Sequence, residues 1–280
     1  MINYSFIIPH HNSPDLLNRL LDSIPQRDDI EIIVVDDNSN TDKKPQIDRA
    51  DVKTIFVSAE ESKGAGRARN IGIKEAIGKW LLFADADDYY INSFVCKLDY
   101  YKDCEFDIVF FDYDTNHNSG NTLFCTRLDN MLKGNKRDRA NFKHMSNAPW
   151  NKMYKKAFVN ENNIEFEEIP IQNDAYFVHK ASSLTDNFHY INEKLYFYEI
   201  NDHGITRKKR KKEDVERSIT TTIKIDKLKA KSGAWDCIYA FISERYKVDY
   251  GYTFVIKQQV RRIANGLIWF LINKYIHKRS

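Results

Sequence analysis

KWLLFADADDYY, from Lys79 to Tyr90, is the stretch that decides the fold. Four apolar residues, Leu81 to Ala84, run directly into three carboxylates: Asp85, Asp87 and Asp88. A short apolar run with polar boundaries predicts a buried strand. Like charges this close repel one another, which is costly at the end of such a strand. The stretch therefore predicts a strand of a parallel sheet that ends in a cation site.

Other strands with polar ends precede this one. SFIIP runs into PHHN, IEIIVVDD runs into DDNSN, and TIFVS is a third apolar run. The segments SPDLLNRLLDSI and GAGRARNIGIKEAIG lie between them, and both predict helices. The alternation predicts an α/β fold: a mostly parallel sheet with helices on both faces. Ligands bind at the carboxyl ends of strands in such sheets. The three polar clusters PHHN, DDNSN and DADDYY are therefore expected to converge on one crevice.

The remainder of the chain is less regular. FDIVFFDY and KLYFYEIN predict further strands. APWNKMYKKAFVNENNI is expected to be a loop leading into a short helix, and IQNDAYFVHKAS a loop followed by a helix. KKEDVERSITTTIKIDKLKAK and the last thirty residues have a helical period, which predicts a helical C-terminal extension.

Composition limits the class of protein. The 280 residues carry a net charge of only +3, and the four cysteines form no CxxC pair, which indicates reduced thiols in a cytosolic protein. No signal peptide is evident at the N-terminus, and no apolar run reaches the length of a bilayer span. We therefore expect a cytoplasmic protein, either free or peripheral on the inner face of the cell membrane.

The DADD cluster has a specific chemistry. Alternate residues of a strand share a direction, so Asp85 and Asp87 point to one side. Their oxygens suit a hard divalent cation, Mn²⁺ or Mg²⁺, whose natural partner is a diphosphate. The alternative is a solvated turn. Asp88 is expected either to support its neighbours or, as the favoured interpretation, to cap the next helix.

Six segments, in order, resemble the family 2 glycosyltransferases, an inverting group with the GT-A fold: SFIIPHHN, IIVVDDNSNTD, GAGRARNIGI, LLFADADDYY, APWNKMYKK and IQNDAYF. The resemblance implies a GT-A catalytic domain over residues 1–205. Residues 1–115 would form its nucleotide-sugar-binding half and residues 116–205 its acceptor-binding half. Residues 206–280 would then be a basic loop followed by C-terminal helices.

The resemblance also implies roles in binding a UDP-sugar donor. Asp36 would accept the N3–H of uracil, and Arg69 would hold a uracil carbonyl or a phosphate through its planar guanidinium. Asp85 would contact the ribose or the donor sugar, and Asp87 the metal. The remaining donor-side candidates, at the end of the first strand, are Pro9, His11 and Asn12.

Further roles concern the acceptor. Asp174 would be the general base that takes the proton of the acceptor hydroxyl; the alternative is a helix cap. Trp150 and Lys152 would lie on the acceptor side, with core packing as the alternative for Trp150. His203, Thr206 and Arg207 would fold over the diphosphate, unless they belong to a solvated basic loop.

The tail VIKQQVRRIANGLIWFLINKYIHKRS interleaves apolar and basic residues at helical spacing. This favours an in-plane helix on an anionic membrane surface, and the alternative is packing on the catalytic domain or on a second subunit of a homo-oligomer. RKKRKK, at residues 207–212, lacks interleaved aromatic residues, so no nucleic-acid partner is expected.

Together these features predict a metal-dependent inverting glycosyltransferase of bacterial surface polysaccharide synthesis. Its acceptor would be a saccharide or a lipid-linked saccharide. A sugar-nucleotide pyrophosphorylase would need a Gly-rich basic loop after the first strand, where this chain has PHHNSPD. An inactive sugar-nucleotide-binding scaffold stays as the alternative, although such a scaffold would be expected to lack Asp87 or Asp174.

Overall fold

The computed structural model describes residues 1–91, 93–116, 131, 133–200, 211–238 and 245–276. The strands in this part of the chain are β1 (Tyr4–His10), β2 (Ile30–Asp37), β3 (Val52–Val57), β4 (Trp80–Phe83), β5 (Tyr89–Tyr90), β6 (Ile108–Thr115), β7 (Lys152–Lys155) and β8 (Phe188–Tyr198). The helices are α1 (Pro14–Ser23), α2 (Ala65–Glu75), α3 (Phe94–Asp99), α4 (Lys136–Lys143), α5 (Lys156–Glu161), α6 (Ala175–Leu184), α7 (Lys212–Lys231), α8 (Arg245–Ala264) and α9 (Leu267–Ile276).

The strands form one eight-stranded sheet in the order β3-β2-β1-β4-β7-β6-β8-β5. β1 pairs in parallel with β2 and β4, β2 with β3, and β6 with β8. Because the chain runs outward from β1 to β3 and then returns to β4, the strand order reverses between β1 and β4. The predicted mostly parallel sheet is confirmed, and this switch point is where such sheets bind ligands.

For APWNKMYKKAFVNENNI the predicted short helix is confirmed as α5, but the predicted loop before it was wrong at Lys152 to Lys155, which form a strand. β7 pairs antiparallel with β4 on one side and with β6 on the other. Only four residues long, with a lysine at each end, this segment has no strand periodicity that the sequence reveals. Its pairing depends on partners that lie far away along the chain.

Helices cover both faces of the sheet. Successive side chains of β1 point to opposite faces, so apolar residues of this strand contact a helix on each side. Phe6 and Ile8 belong to the same buried cluster as Leu17 and Leu20 of α1. Ile7 points the other way, toward α2. A Cβ added at Gly72 would lie 2.3 Å from Ile7 Cγ2, so only a glycine lets this helix approach so closely.

Internal contacts divide the chain into two compact units. The first contains Met1–Asn118, Ala148–Phe177 and Thr185–Asp202, and the second Ser119–Asn147, Val178–Leu184 and His203–Ser280. The predicted domain boundary between residues 205 and 206 stays a prediction. The C-terminal helices are confirmed as α7, α8 and α9, with a non-helical residue, Gly251, inside α8. In the described ranges, no helix has both the length and the apolar character of a membrane span.

Candidate active site

The ends of β1 and β2 are joined by a buried network. His10 and Asp36 lie opposite each other in the parallel register, and His10 Nδ1 lies 2.7 Å from Asp36 Oδ1. The backbone N–H of Ser13 donates to His10 Nε2, so the ring proton is on Nδ1 and is donated to Asp36. Asp36 also accepts from the Ser39 hydroxyl and backbone N–H, at 2.5 and 3.1 Å. Both oxygens of Asp36 are therefore engaged within the protein.

The next carboxylate, Asp37, is less completely satisfied. Its Oδ2 accepts the backbone N–H of Gly64 at 2.8 Å, which ties the end of β2 to the start of α2. Its Oδ1 is buried and has no hydrogen-bond partner among the described residues. Because a buried acceptor without a donor is costly, this oxygen is a candidate to receive a donor from a ligand.

Two asparagines shape the loops that follow β1 and β2. Asn12 and Asn38 both have φ near +58°, a left-handed conformation that asparagine tolerates better than most residues. Asn12 Oδ1 accepts the backbone N–H of Asn40, and the backbone N–H of Asn12 donates to Ser39 Oγ. Ser39 thus connects two predicted donor-side residues, Asn12 and Asp36. The third, His11, is exposed; its Nδ1 contacts the carbonyl of Asp37 and its Nε2 lies 2.8 Å from Asn12 Nδ2.

A buried arginine connects the DADD turn to the loop before α6. Arg69 is 4% exposed; its Nη2 lies 2.5 Å from Asp85 Oδ1, and its Nη1 donates to Asn173 Oδ1 at 2.8 Å. Arg69 therefore links Asp85, the predicted ribose contact, to the residue before Asp174, the predicted base, and the charges of Arg69 and Asp85 both act on Asp174. The planar fork of arginine suits two such partners at fixed angles.

Of the two roles predicted for Asp88, the favoured one, a helix cap, was wrong, and the structure fits the other, support of its neighbours. Asp88 does not cap α3, whose N-cap residue is Ser93. Its fully buried carboxylate accepts from the Tyr196 hydroxyl at 2.8 Å and from the backbone N–H of Glu199 at 2.9 Å. The Tyr196 hydroxyl in turn accepts the backbone N–H of Asp85. Asp88 thus fastens the DADD turn to β8, a partner more than a hundred residues away.

Burial and neighbouring acids act on the carboxylates of this turn. Burial, together with the nearby charges of Asp85 and Asp87, raises the pKa of Asp88 to about 9. Asp85 and Asp87 remain partly accessible, and the backbone carbonyl of Asp87 accepts from Arg19 Nη2 at 2.6 Å, which fixes the turn. Among the residues the structure describes, no group of three or more His, Cys, Asp or Glu side chains could hold a metal ion. Ligands beyond the protein would have to complete the coordination of any cation here.

Asp174 begins α6 without capping it. It occupies the N-cap position with helical φ and ψ angles, but its side chain makes no capping hydrogen bond. Burial raises the pKa of Asp174; the Arg69 charge opposes this rise and the Asp85 charge adds to it. A carboxylate that is not used as a cap and whose pKa is above its usual range is suited to accept a proton.

Lys152 and Trp150 lie inside the protein. Lys152 is 1% exposed, and its Nζ donates to the carbonyl of Ala148 at 2.7 Å and to Asn151 Oδ1 at 2.5 Å. Burial lowers the pKa of Lys152 to about 7, although the Asp174 charge opposes this. Trp150 is 6% exposed and stacks on Tyr196 at 4.8 Å between ring centroids. This packing favours the core alternative for Trp150, and acceptor contact by either residue stays a prediction.

Three further candidates, His203, Thr206 and Arg207, lie outside the described residues. Pro9 is half-buried within β1. Four residues of the site were missed by sequence reasoning: His10, Asp37, Asn173 in its contact with Arg69, and Tyr196. The doubled residues in PHHN and VVDD were a usable signal for the first two, since either member of each pair could face the site.

Gly66 allows α2 to touch the loop that carries Asp174. A Cβ at this position would lie 2.1 Å from the carbonyl oxygen of Glu167, a backbone atom that cannot rotate away. Gly66→Ala is therefore expected to cost about 1–3 kcal/mol, a fall in Tm of roughly 2 to 10 °C. Differential scanning calorimetry checks this, with Lys74→Ala on the exposed side of α2 as the control. An unchanged Tm in Gly66→Ala would contradict the close approach.

This strand order is that of a GT-A fold. So is the aspartate cluster at the end of β4, which Arg69 links to the loop that carries Asp174. The family model described as glycosyl transferase family 2 matches residues 5–162, which is more than half of the chain. The chain belongs to glycosyl transferase family 2.

Relatives and solved structures agree with this assignment. The poly(ribitol-phosphate) beta-N-acetylglucosaminyltransferase TarS of Staphylococcus aureus is 27% identical over 218 residues, 73% of this chain and 36% of TarS. WfaP of Escherichia coli, a UDP-Glc:alpha-D-GlcNAc-diphosphoundecaprenol beta-1,3-glucosyltransferase, is 32% identical over 112 residues, 39% of this chain and 44% of WfaP. This chain thus spans about a third of the length of TarS and less than half of WfaP.

The fold similarity extends over nearly the whole chain. The structure of S. aureus TarS 1-349 in complex with UDP-GlcNAc matches with a TM-score of 0.69 and 19% identity, covering 96% of this chain and 82% of that one. The mannosyltransferase PcManGT from Pyrobaculum calidifontis, in complex with GDP-Man and Mn²⁺, matches with a TM-score of 0.52 and 14% identity, covering 98% and 73%. At these identities the likeness establishes the fold.

Proposed function

We propose that this chain is an inverting glycosyltransferase that moves a sugar from a UDP-sugar to a saccharide acceptor. One observation carries the proposal: Arg69 joins Asp85, at the end of β4, to Asn173, the neighbour of Asp174. The proposed donor-binding carboxylate, Asp85, and the loop that carries the proposed base, Asp174, are thereby held by one guanidinium. Membership of glycosyl transferase family 2 supports this interpretation.

The chemistry assigned to Asp174 is that of a general base. In an inverting transfer the acceptor hydroxyl attacks the anomeric carbon in one in-line displacement, and it loses its proton as the new bond forms. A carboxylate oxygen of Asp174 would take that proton. Arg69, held by Asp85 and Asn173, would keep positive charge close to the reacting centre, where the leaving diphosphate gains charge.

The residues of the DADD turn fit a divalent cation, Mn²⁺ or Mg²⁺. Asp87 would ligate it, and Asp85 would contact the ribose or the donor sugar. Such an ion neutralises diphosphate charge when bound. The geometry supports the assignment, because Asp85 and Asp87 stand two residues apart at the end of β4 and both remain partly accessible. PcManGT, of the same fold, was solved with Mn²⁺.

The names of two relatives support a class of acceptor. The names of TarS and WfaP describe transfer to a poly(ribitol-phosphate) and to a diphosphoundecaprenol-linked sugar. We extend this class to the present chain: hexosyl or N-acetylhexosaminyl transfer to a saccharide or lipid-linked saccharide, in the synthesis of a bacterial surface polysaccharide. Such a role would place the protein in the cytoplasm, at the inner face of the cell membrane.

Two adjacent carboxylates are candidates for binding uracil. Asp36 was the sequence-based prediction, but its oxygens are held by His10 and Ser39. Asp37 Oδ1 has no such donor, and the N3–H of uracil would supply one. This oxygen has no solvent access, so a ligand would reach it only after a local rearrangement. We therefore include Asp37 beside Asp36 as a candidate for uracil binding.

Parallel variants at the two positions separate these roles. If Asp37 accepts the uracil N3–H, Asp37→Asn is expected to lose about 1–3 kcal/mol of UDP affinity, which is roughly 5- to 150-fold, and to bring UDP and CDP closer in affinity. Asp36→Asn should weaken both nucleotides alike, since it disturbs the His10 network. Isothermal titration calorimetry with UDP and CDP provides the test. A changed UDP-to-CDP ratio in Asp36→Asn alone would return the assignment to Asp36.

The activity itself is tested by UDP release. The protein is mixed with Mn²⁺, a panel of UDP-sugars and saccharide acceptors, and released UDP is measured. We expect release with at least one hexose or N-acetylhexosamine donor. Nucleotide binding without release across the panel would favour the alternative, a catalytically inactive sugar-nucleotide-binding scaffold. The presence of both Asp87 and Asp174 argues against that alternative.

A further inference from the structure

The solvent side of α7 is a row of cations. Counting its N-cap residue, this helix has seven exposed positions, and six of them are basic; the exception is Glu213. Arg217, Lys224 and Lys231 recur every seven residues, which places them on one side of the helix. The exposed basic positions, together called the cation row, are Lys211, Lys212, Arg217, Lys224, Lys227 and Lys231.

The outer side of α8 and α9 is apolar, which is unusual for helices of a soluble protein. The inner side of α8 is buried: Arg262 pairs with Asp226 of α7 at 2.8 Å. On the outer side, large aliphatic side chains are 40 to 61% exposed on α8 and 52% exposed on α9. These residues, together called the apolar stripe, are Ile256, Val260, Ile263, Ile268 and Ile272.

The two features adjoin on the surface. Arg261, the residue after Val260 of the apolar stripe, donates from Nη2 to Thr220 Oγ1 at 2.9 Å. Thr220 lies one turn after Arg217 and one turn before Lys224, which are both residues of the cation row. Exposed aromatic rings accompany the stripe, among them Trp269 at 59%. An apolar strip with aromatic residues and a basic border is the pattern of helices that lie in a membrane interface.

We propose that the cation row and the apolar stripe together form a docking surface for an anionic lipid bilayer. Charge complementarity selects this occupant: the cation row supplies six basic residues, and Lys257 and Arg261 add two exposed cations on α8. A soluble polyanion would pair with the cations but would leave the isoleucines in water. A second copy of the chain, docked by the same face, would bring like-charged rows together. The surface is independent of the proposed reaction.

Vesicle cosedimentation tests the surface. The full chain is mixed with vesicles of phosphatidylcholine alone and with vesicles that also contain phosphatidylglycerol, at low and at high salt. We expect binding only to the anionic vesicles, and less of it at high salt. Equal binding to both vesicle types, or binding to neither, would overturn the proposal.

Two sets of variants measure how much the cation row and the apolar stripe each contribute to vesicle binding. Each of Lys224→Ala and Lys227→Ala is expected to weaken binding to anionic vesicles about fivefold. Ile256→Ser with Val260→Ser should weaken it as well, whereas Lys53→Ala with Lys74→Ala, at exposed positions of the first unit, should not. UDP binding and Tm check that every variant folds.

Two further outcomes would replace lipid with another occupant. Light scattering that detects a dimer, lost in the Ile256/Val260 variant while vesicles fail to bind, would identify a second copy. Cosedimentation that depends on the lysines but not on Ile256 and Val260, and that dextran sulfate abolishes, would identify a soluble polyanion. Either result would overturn the lipid proposal.

Discussion

Asp174→Asn is expected to reduce sugar transfer about 10²- to 10⁴-fold while leaving UDP affinity unchanged. An asparagine keeps the size and polarity of the side chain but cannot accept a proton. The side chain makes no cap to α6, so the loss should arise from the chemistry and not from unfolding. Initial-rate measurements with a fixed UDP-sugar, together with calorimetric titration of UDP, separate kcat from binding.

The pH dependence gives a second signature of the same residue. Burial raises the pKa of Asp174 above its usual range. Only the deprotonated carboxylate can act as a base, so kcat/KM should fall as the pH is lowered through this raised pKa. The acidic limb should therefore lie above pH ~4, the region of an ordinary aspartate, and should be missing from the residual activity of Asp174→Asn.

Glu168→Gln is the matched control, because this acid lies in the same loop but pairs with Lys63 and Arg67. It should retain transfer and the acidic limb. Full transfer by Asp174→Asn, or an acidic limb that persists in that variant, would remove Asp174 from the role of base.

Asp87→Ala is expected to abolish the metal dependence of nucleotide binding. If Asp87 holds a divalent ion that offsets the charge of the diphosphate, Mn²⁺ should strengthen UDP binding to the native protein by at least about tenfold, or about 1.4 kcal/mol. Without the Asp87 carboxylate this gain should disappear, leaving the affinity measured in EDTA. Calorimetric titration with UDP measures the affinity in Mn²⁺ and the affinity in EDTA, and neither measurement relies on activity.

Asp42→Asn, at an exposed acid away from the DADD turn, provides the control for the loss of one negative charge. The Mn²⁺ electron paramagnetic resonance signal gives an independent readout, because bound Mn²⁺ loses the sharp spectrum of the free ion. A native protein whose UDP affinity is the same in Mn²⁺ and in EDTA would show that the donor binds without a metal. Metal dependence that survives Asp87→Ala would place the ion on other ligands.

Much of the fold could be predicted from local patterns. The apolar runs of β1, β2 and β4 and the leucine periodicity of α1 each depend on a few consecutive residues, and all are confirmed. β7 could not be predicted, since its four residues have no period and owe their conformation to β4 and β6. The confirmed elements are those whose physical cause lies within about a dozen residues of chain.

The candidate site follows the same rule. Strand ends of a parallel sheet must meet, so the convergence of the clusters after β1, β2 and β4 could be deduced from the sequence. The partner of each side chain could not. Asp88 binds Tyr196, more than a hundred residues away, where its position before α3 had favoured a helix cap. Asp36 is occupied by His10, and no sequence pattern distinguishes it in this respect from Asp37.

The position of β7 has a consequence for dividing this protein experimentally. Residues 1–115 contain β1 to β6 but not β7, the strand that covers one side of β4 in the native sheet. A fragment ending at residue 115 would expose the backbone edge of Trp80–Phe83, whose four side chains are fully buried in the whole chain. Open apolar edges of this kind recruit other chains. A fragment of residues 1–115 is therefore expected to aggregate when expressed alone, and truncation series should keep residues 152–155.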